Sequence, residues 1–263
     1  DIDPSEFDKT VKCDVHLLGD ARLVVEDLLP LVKRLDTQKW VSRCNGWRKK
    51  YPLKYAQNGE MRTAQIVDHL NKLIRGKAIV VTDVGQHQMW TAQFIRVRSS
   101  RMWLSSGGAG TMGFGMPAAI GAQLGCPDKQ VWAVVGDGGF QMTQAELATA
   151  AIHRLPIKVI ISNNRYLGMV RQWQELFFEN RLSGVALQGS PDFVKLAEAY
   201  GVKALRIERP GEIDRVLKEA ARYRRGPCLI DAVVFREDNV FPMIPAGAPI
   251  SGMLIDRPTP EKK

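Results

Sequence analysis

Apolar positions follow two spacings along this chain, and the way they alternate predicts its architecture. Largely apolar runs at 78–82, 131–135, 157–162, 202–207 and 227–234 read as buried strands, and the first three stop at Asp, Gly and Asn. Between them lie segments of helical spacing: 62–74, through Ile66, Val67, Leu70 and Leu73, then 143–153, 191–200 with Ser190 as cap, and 211–223. The stretch 105–123 is glycine-rich and then helical. Strand, helix and strand over 131–162 make a βαβ unit, which favours a parallel pair with a right-handed crossover. The expected fold is α/β, a doubly wound, mostly parallel sheet with helices on both faces.

The first residues differ. Positions 1–37 read as a strand end, a turn, a short strand at 15–18 and a helix after Gly19-Asp20 that carries Leu23, Val24, Leu28, Leu31, Val32 and Leu35. Pro30 is expected to kink or split that helix. Positions 38–58 are basic and aromatic (Trp40, Trp47, Tyr51, Tyr55) without a clean period, and read as an interdomain connection with no chemistry of its own. The expected organisation is the tail of a second α/β domain over 1–37, the connection over 38–58, the main domain over 59–235 and a proline-rich irregular tail over 236–263, frayed at its end.

Composition narrows the function. The 263 residues suffice for one large domain or one and a half ordinary ones. The net charge of +9 comes from scattered bases, with short clusters at 48–50 and 222–225 and no nucleic-acid module, so a nucleic-acid partner is not expected. No apolar run approaches a membrane span and no signal-peptide pattern opens the chain; Asp1-Ile2-Asp3-Pro4 reads as the middle of a protein. Cys13, Cys44, Cys126 and Cys228 lie far apart without CxxC spacing, which argues against zinc and for reduced thiols in the cytoplasm or an organelle interior. Cys228 falls in a strand-like run and is expected in the core.

The candidate chemistry lies where the strands end. Asp137 and Asn164 are 27 positions apart, each leaving the carboxyl end of a strand of the βαβ unit, where open α/β sheets place their ligands. A carboxylate and an amide oxygen form a hard oxygen pair suited to Mg²⁺ that also takes oxygens from a diphosphate. Gly136, Gly138 and Gly139 permit close backbone approach. Taken singly, Gly-Asp-Gly is also a tight turn and Asn-Asn a helix cap. A third strand end, Asp83-Val84-Gly85-Gln86-His87, brings a ring nitrogen and an amide able to donate to phosphate. Six glycines between Gly107 and Gly121, interspersed with Met112 and Phe114, suggest backbone packed against a ligand. Trp90, Phe94 and Glu146 read as structural.

The run GDGGFQMTQAELATAAIHRLPIKVIISNNRYLGMVRQWQ resembles the thiamine-diphosphate motif in the catalytic subunit of acetohydroxyacid (acetolactate) synthase, and VGQHQMWTAQF closely matches the same family. The likeness implies that Asp137, Asn164 and the main-chain carbonyl of Tyr166 hold Mg²⁺. Val84, Gly85, Gln86, His87, Gly110, Met112, Gly138, Gly139, Leu167, Gly168, Met169 and Val170 would meet thiamine diphosphate, with Met112 forcing its bent conformation. Bending brings the 4′-amino group near C2 of the thiazolium, a proximity effect. Met169, Val170 and Trp173 would form the pocket for the acceptor ketoacid and for inhibitors. DIDPSEF…DVHLLGDA is similar to the end of the family's central domain, which implies that Asp1, Ile2, Asp20 and Ala21 help hold an FAD without redox role; a strand end plus an N-cap at Asp20 is an equal reading of those residues.

What the resemblance implies for activity is decarboxylation of pyruvate and carboligation to a second 2-ketoacid, in branched-chain amino acid biosynthesis. The family's activating Glu comes from a partner subunit's domain, so no catalytic acid is expected within this chain, which alone should bind the cofactor weakly and make no acetolactate. A homodimer or homotetramer with active sites at the subunit interface is implied, with room for a regulatory small subunit. The tail is similar to a family segment that folds over the active site. Rival readings are another thiamine-diphosphate decarboxylase or oxidase of this architecture, and a non-catalytic Mg²⁺–nucleotide module; GQHQMW and GMVRQWQ favour the synthase.

Overall fold

The computed structural model describes residues 1–256; the end of the tail, where fraying is expected, lies outside them. The chain forms two compact units, residues 1–52 and 53–263.

In the first unit, α1 (Ala21–Leu28) starts at Asp20, whose Oδ1 accepts from the N–H groups of Arg22 and Leu23. Pro30 splits the helix as expected: a 3₁₀ turn, Leu29–Leu31, follows, and then the chain is extended. The expected strand at 15–18 is not formed, because one neighbour alone pairs with it. Asp1 N donates to Leu17 O (3.1 Å) and Gly19 N to Asp1 O (3.0 Å), the two bonds that adjacent parallel strands exchange, and the ladder goes no further. Residues 38–50 form α2 (Gln38–Lys50), exposed throughout except Cys44. Its hidden regularity is aromatic. Trp40 and Trp47, two turns apart, meet edge to face at 5.7 Å, and the Arg43 guanidinium lies 4.9 Å from the Trp47 ring.

The second unit is a six-stranded, wholly parallel sheet in the order β2-β1-β3-β4-β6-β5. Its strands are β1 (Ile79–Thr82), β2 (Trp103–Ser105), β3 (Val131–Gly136), β4 (Lys158–Asn163), β5 (Lys203–Ile207) and β6 (Cys228–Val233). The three-residue edge strand β2 has no sequence signal, being too short to show a period and only half-buried. Alternate side chains sort the core into two layers. Val80, Trp132, Val134, Ile160 and Ile230 pack against α3 (Thr63–Ile74) and α10 (Ile213–Arg222). Val81, Ala133, Val135, Val159, Ile161 and Leu229 face α5 (Gly115–Gly125), α7 (Glu146–Ile152) and α9 (Phe193–Ala199). Helices therefore cover both faces, and Cys228 is buried in the first layer as expected.

Two local features differ from the expectations. The crossover helix begins at the strand tip as α6 (Asp137–Thr143) and continues as α7, rather than running as one helix from 143. Asp192, not Ser190, caps α9, accepting from Val194 N (2.9 Å) and Lys195 N (3.2 Å); the Ser190 hydroxyl donates to Leu187 O instead. Lys158 is fully buried at the start of β4, its ammonium turned to the carbonyl of Pro156.

Candidate functional site

Every strand tip that matters lies on one edge of the sheet. The register pairs Gly136 with Ser162 and Thr82 with Val134, so Asp83, Asp137 and Asn164 all follow directly from strand ends that lie side by side. These tips, the loop at 110–112 and the start of α8 (Gly168–Phe177) enclose a cavity of about 290 Å³. All fifteen residues assigned from the sequence to Mg²⁺ and thiamine diphosphate, Val84 to Val170, line it.

Asp137 is buried, its Oδ1 taking Gly138 N (3.0 Å) and its Oδ2 taking Arg165 N (2.6 Å). Among the described residues no cation-bearing side chain bonds it, and burial pushes its carboxyl up to about 7. Asn164 Oδ1 accepts from Tyr166 N (3.0 Å), which folds the turn, while its Nδ2 reaches Gln86 Oε1 at 3.4 Å. A buried carboxylate with only N–H partners, beside an amide oxygen and the Tyr166 turn, suits a divalent cation that restores the charged form. The glycines here are needed for close approach. A Cβ on Gly138 would meet Leu167 Cδ2 at 2.6 Å, and one on Gly168 would meet Gln86 Oε1 at 2.1 Å.

Along α4 (Gln86–Phe94), Gly85 at the N-cap has φ +142°, a conformation open to glycine. His87 is buried, and burial lowers its pKa to about 3, so the ring is neutral. Its Nε2 is buried and has no hydrogen-bond partner among the described residues. A neutral ring carries its proton on one nitrogen, so Nε2 donates to a phosphate in the tautomer protonated there and accepts in the other. Both amide hydrogens of Gln86 are engaged within the fold, by Gln172 Oε1 (2.8 Å) and Asp238 O (2.7 Å). What α4 offers a phosphate at Gln86 is thus its main-chain N–H, one of the first in a helix and without a helical acceptor.

Gln172 is fully buried one turn into α8 and is the centre of a network that sequence reasoning did not reach. It accepts from Gln86 and from Val240 N (2.8 Å), and donates to Val240 O (3.1 Å). Arg171 donates to Asp238 O (3.0 Å), and Arg62 pairs with the Asp238 carboxylate. Val240 packs on Trp90, so this part of the tail is fastened beside the cavity. The cavity also takes Gln88, Met89, Trp90, Gly136 and Ser162; Trp90 is packing as expected, Gly136 is a glycine expected to allow close approach, and the other three carried no sequence signal.

Trp173 does not line the cavity. Met169 and Val170 do, whereas Trp173 sits a turn further along α8 and packs its ring 5.1 Å from Phe177. In the first unit Asp1, Ile2, Asp20 and Ala21 are exposed, Asp1 lying beside Leu17 and Gly19 and Asp20 capping α1. Glu146 opens α7, and its carboxylate accepts from Thr149 Oγ1 at 3.4 Å, a structural contact. A second cavity, about 550 Å³, lies across β4 from the first; Asn163 lines it, tied to Asp231 at 2.9 Å, and Arg206 pairs with the same carboxylate. Among the described residues no helix is long and apolar enough to cross a membrane.

Comparison with known proteins agrees with this edge of the sheet. The family model for the thiamine pyrophosphate enzyme, C-terminal TPP binding domain, matches residues 83–232, from the tip of β1 into β6. The chain is 43% identical over 259 residues to acetolactate synthase of Mycobacterium bovis, covering 94% of this chain and 42% of that protein. Against the acetolactate synthase large subunits of Corynebacterium glutamicum and Lactococcus lactis the identities are 43% and 44%, again over 94% of this chain, with 41% and 43% of theirs. The chain thus spans about two fifths of the length of these relatives. A matched segment covering more than half of the chain, with its strand tips assembled around one cavity, makes this chain a member of the thiamine pyrophosphate enzymes that carries their C-terminal TPP binding domain.

Proposed function

We propose that this chain provides the diphosphate-binding side of an acetolactate synthase, which decarboxylates pyruvate and joins the remaining two-carbon unit to a second 2-ketoacid. The observation that carries the reading is the single cavity in which a raised buried carboxyl, an unpartnered His87 Nε2 and close-approach glycines converge. Asp137, Asn164 and the Tyr166 carbonyl would hold Mg²⁺, and the starts of α4 and α8 would hold the diphosphate. When bound, thiamine diphosphate supplies an electron sink for the carbon–carbon bond that breaks.

The chain's own residues position and shield. Burial of Asp137, Gln86 and His87 keeps water from the phosphate end, where fixed dipoles replace solvation. Met112, its Cε 3.8 Å from where a Gly138 Cβ would stand, lies over the Gly-Asp-Gly turn and would support the bent cofactor. Met169 and Val170 at the cavity wall would meet the substrate end; Trp173 would act from further along the helix. FAD, at Asp1, Ile2, Asp20 and Ala21, and assembly into a dimer or tetramer that lends the activating Glu belong to the same reading, as does a cytoplasmic or organelle-interior location.

The test uses the protein as its gene encodes it. Calorimetry should show Mg²⁺-dependent binding of thiamine diphosphate, and pyruvate should give acetolactate. Acetaldehyde or acetate as sole product would move the assignment to another enzyme of the family, and heat from ATP with none from thiamine diphosphate would overturn it.

A further inference from the structure

Asp83 follows directly from β1, is fully buried, and has no cationic partner among the described residues. Its carboxylate instead collects main-chain N–H groups. Oδ1 accepts from Val84 (2.7 Å), both oxygens accept from Gly113 (3.0 Å each), and Oδ2 accepts from Gly115 (3.3 Å). Gly113 has φ +88° and Gly110 φ +65°, so the loop that carries Met112 holds a backbone course open mainly to glycine. Opposite Asp83, Thr143 Oγ1 donates to Gly113 O at 2.9 Å, fastening the same peptide from its other side. Space around the carboxylate is closed: a Cβ on Gly139 would stand 2.9 Å from Asp83 Cγ, and one on Gly115 would stand 3.1 Å from Asp83 Cβ.

We propose that Asp83 is the positioning residue of this site: its carboxylate fixes the 110–115 loop, and hence Met112. The inference rests on the cofactor reading above and adds to it a residue that does not line the cavity. The fit is one of shape and valence. Two carboxylate oxygens hold three N–H groups from two chain segments, which no uncharged side chain of this size can match. Asp83→Asn preserves the shape but turns an NH₂ toward the Gly113 N–H, donor against donor.

Two measurements on the gene-encoded protein decide the matter. In cofactor-free protein, hydrogen exchange of the 110–115 amides read by mass spectrometry should quicken at least ten-fold in Asp83→Asn and by a smaller factor in Thr143→Val. In holoenzyme saturated with thiamine diphosphate and Mg²⁺, deuterium exchange at the cofactor's C2 should slow at least ten-fold in Asp83→Asn, whereas a variant merely less stable would keep the parent rate per bound cofactor. Unchanged amide exchange or an unchanged C2 rate overturns the proposal. If Asp83→Asn does not fold, Thr143→Val decides, and a parent rate in that variant overturns it. A parent protein that binds no thiamine diphosphate refutes the cofactor reading, while the amide comparison still judges the loop.

Discussion

The main-chain N–H of Arg165 donates to Oδ2 of Asp137 across 2.6 Å, linking the turn after β4 to the turn after β3. Arg165 takes a left-handed conformation, φ +56°, to make that bond. The bond sets the separation of the two oxygen donors assigned to Mg²⁺, because Asn164 immediately precedes Arg165. Asp137→Asn keeps an oxygen for Arg165 and loses the charge. Magnesium-dependent affinity for thiamine diphosphate should fall at least about ten-fold, measured by calorimetry with and without Mg²⁺. The melting temperature of the cofactor-free protein at pH 8 should hold or rise, since a buried carboxyl with no cationic partner is removed. Undiminished Mg²⁺ dependence would remove Asp137 from the metal site.

Gly168→Ala tests close approach at the start of α8. The new methyl would stand 2.1 Å from Gln86 Oε1 and 2.7 Å from Asn164 Nδ2, both buried side chains. Overpacking of this kind costs about 1–3 kcal/mol, and here it displaces a metal donor too. Chemical denaturation should show the loss and calorimetry a weaker cofactor site; a variant matching the parent in both would mean that the pair yields freely.

Gln172→Leu fills the same space without hydrogen bonds. It would leave the Gln86 amide short of an acceptor and the Val240 N–H without its partner at 2.8 Å, both buried. Each orphaned group costs about 1–3 kcal/mol, so the tail should loosen before the sheet does. Limited proteolysis should cut near 238–243 in the variant first, and equal resistance would show that the network does not hold the tail.

Lys158 and Cys228 give the sheet an alkaline signature. Burial lowers Lys158 to about 8, against 10.5 when unfolded, so above about pH 8 the folded chain carries fewer protons than the unfolded one and stability rises with pH. Burial pushes the Cys228 thiol up to about 11, against 9.0, so above pH 9 the folded chain holds the extra proton and stability falls. Denaturant titrations should rise between pH 8 and 9 by up to about 1.4 kcal/mol per unit and level off above 9, where the two slopes oppose. Lys158→Met should abolish the rise, and an unaltered slope in that variant would show that the ammonium ionises elsewhere.

The site proved more legible than the chain around it, for a physical reason. Asp137, Asn164 and His87 stand where apolar runs stop, and a run of buried residues is visible in one dimension. Asp83 stands in such a place as well, but its partners, Gly113 and Gly115, are 30 and 32 positions away and are bound through backbone that looks alike in every residue. The network at Gln172 was hidden likewise, since a glutamine on a helix gives no sign of which side is covered. Ser190 and Asp192 are both good caps by composition, and only the path of the chain chose between them. In α2 the Trp–Arg–Trp face was written plainly at i, i+3 and i+7, but it is aromatic and cationic rather than apolar, and a search for hydrophobic period passed over it.

The pairing of Gly136 with Ser162 carries a lesson about which sequence changes this edge can tolerate. Side chains on neighbouring positions of a strand look to opposite sides, so inserting or deleting one residue within β3 or β4 would swing Asp137 or Asn164 to the far face. Lengthening the connection between α7 and β4 would leave both where they are. Sequence drift should therefore collect as insertions in the linkers on the amino-terminal side of the sheet, while the distance from strand to donor stays constant.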